Sequence, residues 1–242
     1  MVNWLTLIPG EVYFCDNFLE VSTYDSLMQS LAGSDISVLD GSNRQHAVGN
    51  TFYNYNVIKY NVRNDKKLIE EVFTKINMLV TSLGDTAVDY TAPLGYLQFF
   101  AKSFNPQSRY DLHAESAKMF GKYVFVNYLS DETSGELIFP TESEADAYLM
   151  QHPSNKQGWD ETKITLEKEN NPVRYIGPLT IRPKKNTCIV FTTGTAHIVN
   201  NVVSSINDIV RPSLSGWINS DDSYMQWYKA QLKLNSDTVN VV

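Results

Sequence analysis

His113 and Glu115 stand two apart in sequence, His197 follows 84 residues after the first, and Arg211-Pro212-Ser213 begins 14 residues later still. This spacing sets the strongest constraint on how the chain folds. Side chains at i and i+2 of an extended segment share a face, so His113 and Glu115 can grip one ion while the small Ala114 points away. If His197 is to join them, strand ends far apart in sequence must meet. That requirement suits a site at the mouth of a β-sandwich or barrel. The other two histidines, His46 and His152, lie in polar stretches and read as solvated loop residues.

The chemistry of the set follows from its donors. Two imidazoles and a carboxylate leave half an octahedral ion open, as in non-haem iron sites. The same three donors with an open position also serve catalytic zinc, although no His-Glu-x-x-His helix is present. Asp111, two residues before His113, falls on the same face of an ideal strand and stands as an alternative carboxylate or as a supporting group.

The flanking sequence reads as strands at 97–104, 123–129, 186–192, 197–203 and 211–218, with a shorter one at 11–14. Helices are predicted at 24–32, capped by Asn17 or Ser22, and at 66–82, capped by Asp65. Residues 40–64 are polar and tyrosine-rich and read as strands or loops flanking an entrance. The stretch 141–178 is predicted to hold a short acidic helix at 142–150, polar turns at 151–158 and a strand at 163–166. Loops of that length are usually functional, so a lid or specificity element is the expectation there. Beyond residue 221, Met225, Trp227, Tyr228 and Leu232 recur at near-helical spacing.

Composition narrows the partners. Twenty basic residues against 27 acidic give a net charge of −7, which implies no general affinity for nucleic acid or an anionic membrane. Hydrophobic residues at 43% and aromatics at 12% mark a folded chain. Cys15 and Cys188, far apart in sequence, read as reduced thiols of a cytoplasmic protein. No basic and apolar leader opens the sequence, and no run nears the roughly 20 apolar residues of a membrane helix.

Seven pieces now fall in one order: His113-Ala114-Glu115, Tyr128-Leu129-Ser130, 134–140 (Ser-Gly-Glu-Leu-Ile-Phe-Pro), Pro183-Lys184-Lys185-Asn186, Phe191, His197 and Arg211-Pro212-Ser213. In that order they resemble the catalytic core of the 2-oxoglutarate and Fe(II)-dependent dioxygenase superfamily, in its prolyl 4-hydroxylase-like branch. The resemblance spans residues 96–218. The departures are Glu115 where most of the branch has Asp, Ser134 for a glycine, Phe104 for a tyrosine, and a longer interval between His197 and Arg211.

The resemblance implies an α+β, mainly β fold, a double-stranded β-helix (jelly-roll) core with helices packed on one sheet. It implies a single domain over 1–242: a helical buttress with flanking strands at 1–95, the catalytic core at 96–218 and a C-terminal extension at 219–242. His113, Glu115 and His197 would hold Fe(II). Arg211 would pair with the far carboxylate of 2-oxoglutarate, with Ser213 and Tyr128 as hydrogen-bond donors. The activity implied is oxidative decarboxylation of 2-oxoglutarate to succinate by dioxygen, with ascorbate as an activator. It is coupled to hydroxylation of a C–H bond in a small molecule or peptide, a prolyl residue or amino acid among them. A zinc hydrolase built on the same two histidines and glutamate, and a non-catalytic jelly-roll binding module, are the alternatives.

Overall fold

A computed structural model describes residues 3–33, 36–40, 54–58, 65–85, 97–104, 109–201 and 210–218. The two strands that anchor it are apolar or β-branched along most of their length. β7 (Tyr123–Tyr128) and β10 (Thr187–Thr192) are buried at every position. Alternation sorts their side chains: Tyr123, Phe125, Cys188 and Val190 point to one face, and Val124, Val126, Tyr128, Ile189 and Phe191 to the other. Strands buried on both faces lose the apolar–polar alternation of a half-exposed strand.

Around them an antiparallel sheet runs in the order β1-β2-β10-β7-β12-β5-β4-β3. Its other strands are β1 (Trp4–Ile8), β2 (Val12–Cys15), β3 (Ile36–Asp40), β4 (Asn54–Ile58), β5 (Leu97–Phe104) and β12 (Val210–Ile218). A smaller antiparallel sheet, β6-β11-β8-β9, is built from β6 (Tyr110–His113), β8 (Leu137–Phe139), β9 (Leu179–Ile181) and β11 (His197–Val199). The chain is thus mostly β, and the two sheets enclose the second of the faces just described.

The outer face of the large sheet is covered by α1 (Val21–Ala32) and α2 (Lys66–Ser82). Leu27, Leu31, Leu68, Val72, Ile76 and Leu79 form the buried stripes. Asp65 caps α2 as expected, its side chain accepting from the Leu68 N–H at 2.9 Å. The first helix starts earlier than predicted. Neither Asn17 nor Ser22 caps it, and Glu20 sits at the cap position without a side-chain bond. The edge strand β1 was not anticipated.

Helices on one sheet only were expected, and this is corrected. α4 (Glu142–Gln151) and α5 (Pro153–Lys168) pack on the outside of the small sheet, through Ala145, Leu149, Trp159 and Leu166 against Leu112, Ala114 and Ile198. The strand expected at 163–166 lies inside α5. Asn155, Gly158, Trp159, Thr162 and Leu166 are buried at helical spacing, while Pro153 occupies the first turn, where its missing N–H is harmless. A short helix, α3 (Ala117–Phe120), follows β6.

Cys15 and Cys188 lie directly opposite each other on β2 and β10, buried and not joined. Among the described residues no helix is long and apolar enough to cross a membrane. The entrance tyrosines Tyr53 and Tyr60, His46 and the tail from residue 221 lie outside the described residues.

Candidate metal centre

Adjacent strands of the small sheet carry the two histidines. His197 on β11 faces His113 on β6, and two residues on, Val199 faces Tyr110. Three steps on β6 therefore run against two on β11, a β-bulge. Such an extra residue re-aims the side chains around it. Tyr110 and His113, three apart, come together with ring centroids 3.8 Å apart, and the His113 and His197 rings lie at 4.0 Å.

The bulge also settles the place of Asp111. An ideal strand would turn its carboxylate towards the ion; here Oδ1 accepts from Arg109 Nε at 2.7 Å and from the Tyr148 hydroxyl at 2.5 Å. Only the Asp111 backbone carbonyl serves the centre, accepting from His113 Nδ1 at 2.7 Å. His197 does likewise with the Thr195 carbonyl, at 2.9 Å. A carbonyl only accepts, so each ring carries its proton on Nδ1 and turns a bare Nε2 lone pair inward.

Both lone pairs converge on Glu115, whose Oε1 is 3.6 Å from His113 Nε2 and 3.5 Å from His197 Nε2. Those separations exceed a good hydrogen bond. His113 Nε2 and Glu115 Oε2 are buried with no partner among the described residues. One donor atom from each of His113, Glu115 and His197 falls within 4.8 Å of the others. Orphaned buried polar atoms are costly unless a ligand completes them, and an ion between these three does so. Ligand bonds of about 2.1 Å put neighbouring donors about 3.0 Å apart at right angles and about 3.4 Å at the tetrahedral angle. The spacing therefore serves iron or zinc.

Electrostatics favour cation capture. Burial, reinforced by the neighbouring His197, pushes the His113 imidazole down to about 4, so it is neutral and ready to ligate at pH 7. Burial alone would raise the Glu115 carboxyl, but attraction to a proton held on the facing His197 or His113 ring outweighs it and keeps the group well below the usual carboxylate range; a cation between bare rings would supply the same positive charge. The Glu115 backbone is fixed too, its carbonyl accepting from Gly194 N at 2.8 Å. Gly194 has φ +82°, and a Cβ there would meet the Asn171 side chain at 2.8 Å, so glycine is required at this turn.

Sequence reasoning missed Arg174, which clamps the same turn. Its N–H donates to the Gly194 carbonyl at 2.9 Å, and its guanidinium reaches Glu11 Oε1 at 2.9 Å and Asn171 Oδ1 at 2.9 Å. Tyr110 and Tyr148 were missed as well. Only the bulge brings Tyr110 onto His113, and a bulge has no signature in residue spacing here.

The predicted cosubstrate residues sit on the large sheet. Tyr128 on β7 and Ser213 on β12 are register partners on the large sheet, and both are fully buried. The hydroxyls of Ser213 and Ser215 find no partner among the described residues. Leu214 between them points to the helical layer, so alternation turns both serines inward, towards the small sheet. Arg211 contributes backbone to β12, and its side chain lies outside the described residues.

No family model matches the chain, and no curated protein matches it. Solved structures do. A 2OG-Fe(II) oxygenase family oxidoreductase from Burkholderia pseudomallei superposes with a TM-score of 0.53 at 10% identity, over 87% of this chain and 89% of that one. A prolyl hydroxylase from Trichoplax adhaerens, in complex with a hypoxia inducible factor oxygen degradation domain peptide fragment, gives 0.52 at 11% identity, over 90% and 87%. This chain has the fold of those proteins.

Proposed function

We propose that this chain is a 2-oxoglutarate- and Fe(II)-dependent oxygenase, with His113, Glu115 and His197 as the metal ligands. The observation that carries this reading is the convergence of two bare Nε2 atoms and a buried carboxylate on one point, inside a fold shared with such oxygenases. The two sheets are then the jelly-roll of the superfamily, and the whole chain is one catalytic domain.

Each residue's part follows from its place. His113, Glu115 and His197 would hold the ion through two imidazoles and one carboxylate, the donor set with open positions that suits non-haem iron. The resemblance assigns Arg211 to the far carboxylate of 2-oxoglutarate, for which a guanidinium would offer a two-pronged pairing that a lysine does not. Ser213 and Tyr128, register partners on neighbouring strands, would donate to the same carboxylate. The apolar walls of Phe139 and Phe191 beside His197, at 6.1 and 4.7 Å between ring centroids, keep water out. Bound Fe(II) would supply the coupling of 2-oxoglutarate oxidation to oxygen insertion into a substrate C–H bond, chemistry that belongs to the cofactor. The substrate we favour is a prolyl residue in a peptide or a free amino acid, in keeping with the peptide held by the Trichoplax adhaerens neighbour.

A zinc hydrolase accounts for the three ligands, and the donor spacing suits it. It gives no purpose to the unpartnered hydroxyls on β12 or to Tyr128 beside them. The deciding measurement is succinate released from 2-oxoglutarate with Fe(II), ascorbate and air, comparing the protein with its His197→Ala variant. Succinate from the parent alone establishes the reading. Zinc retained through purification, with no absorption band on anaerobic addition of Fe(II) and 2-oxoglutarate, ends it.

A further inference from the structure

The α4–α5 pair reaches β6 at two points and the segment that follows it at a third. The Tyr148 hydroxyl donates to Asp111 Oδ1 at 2.5 Å, Asn155 Nδ2 to the Leu112 carbonyl at 3.4 Å, and the Ser116 hydroxyl bonds Glu169 just past the end of α5. These contacts bracket His113 and Glu115. Tyr148 is itself held: its ring stacks on His152 at 4.1 Å and 18°, and His152 Nδ1 lies 3.0 Å from the Tyr148 carbonyl. His152, expected to be a solvated loop residue, is half-buried where the two helices meet.

We infer that Tyr148, carried on α4 outside the small sheet, is a positioning residue for His113: its hydroxyl pins the Asp111 side chain and so fixes the bulge whose carbonyl orients the imidazole. This inference rests on the metal-site reading above. The chain of contacts has no slack. Tyr148 and Arg109 donate to one and the same oxygen of Asp111, which is almost wholly buried. That carboxylate decides which way residue 111 faces, and the adjoining carbonyl takes the Nδ1 proton of His113 at 2.7 Å. Without the phenol the carboxylate keeps one donor, and the bulge can relax towards the regular register in which Asp111 points at the ion. Burial and the bond to Asp111 raise the phenol further above its ordinary range, so it stays a donor at every working pH. Partners that orient a ligand from behind typically change metal affinity about 10–100-fold.

The test is Co(II) binding, followed by visible absorption on the intact chain, together with thermal melting. The expected result for Tyr148→Phe is Co(II) affinity lower by about tenfold with an altered Co(II) spectrum. Thr141→Ala, which removes the capping box of α4 but no contact to β6, serves as the comparison. It should lower the melting temperature and leave Co(II) affinity and spectrum as in the parent. Asp111→Asn combined with Tyr148→Phe should weaken binding by less than the product of the two single effects. Parent-like affinity and spectrum in Tyr148→Phe overturn the inference. So does a loss that merely tracks melting temperature in both Tyr148→Phe and Thr141→Ala. If the parent itself fails to bind Co(II), or His197→Ala binds as tightly, the metal-site reading has failed and the inference falls with it.

Discussion

Ser213 carries a hydroxyl with 0% exposure and no partner among the described residues. A buried hydroxyl left unbonded costs about 1–3 kcal/mol, whereas an apolar group of the same shape does not. A serine at such a place is explained by a ligand that completes it, and register sets it opposite Tyr128 at the wall where a cosubstrate carboxylate would lie. Ser213→Ala is therefore expected to leave the ligand-free chain as stable as the parent, or more stable by about 1 kcal/mol. Its affinity for 2-oxoglutarate should fall about tenfold, equivalent to about 1.4 kcal/mol. Melting curves and a 2-oxoglutarate titration in the presence of Mn(II) measure both. Unchanged affinity would remove Ser213 from the cosubstrate site. Asp111 behaves otherwise: i, i+2 alternation placed its carboxylate on the face of His113, whereas Ser213 entered the site through the family resemblance. Alternation holds on β12 from Ser213 onward, past a register shift of its own between Val210 and Ser213, and fails at β6, because one extra residue between Tyr110 and His113 shifts the phase.

Among the elements, those with a strong local period were legible. The span and cap of α2 and the full length of β5 match the sequence expectation, because capping and side-chain alternation are local events. α5 was not legible. Its polar start and the β-branched Ile164 and Thr165 imitate a turn and a strand, and tertiary burial of Trp159 and Leu166 overrides them. The helix is anchored by that burial, since Trp159 is fully enclosed against Ala114, Leu166 and Tyr175. Trp159→Ala is expected to destabilise the chain by about 3–5 kcal/mol, the usual range for emptying a buried aromatic site. Urea unfolding gives the value. A loss below about 1 kcal/mol would mean that the α4–α5 pair is loosely attached, as the lid expected for 141–178 from the sequence would be.

Across the whole molecule, His113 and His197 stand on the small sheet with Glu115 just beyond the end of β6, and Tyr128, Arg211 and Ser213, the residues proposed for the cosubstrate, stand on the large one. The order of the motifs along the chain was legible, but this division was not. It depends on pairings between residues as distant as Cys15 and Cys188 or His113 and His197, which no local pattern encodes. It has a thermodynamic consequence. On the proposed reading, a metal alone would tie β6 to β11 within one sheet, whereas 2-oxoglutarate held by both the ion and Arg211, Ser213 and Tyr128 would link the two sheets. Ligands that bind only the folded state stabilise it by mass action, by about 2.7 kcal/mol at a hundredfold excess over Kd. For a chain of this size that is a rise of roughly 5–10 °C in melting temperature. Mn(II) alone should raise the melting temperature, and 2-oxoglutarate alone should scarcely move it. The two together should exceed the sum of their separate shifts, because on the proposed reading the metal would itself form part of the 2-oxoglutarate site. A zinc hydrolase would respond to the metal and ignore 2-oxoglutarate, and a binding module with structural histidines would ignore both. Purely additive shifts would place 2-oxoglutarate away from the ion and separate the proposed metal ligands from the residues proposed for the cosubstrate.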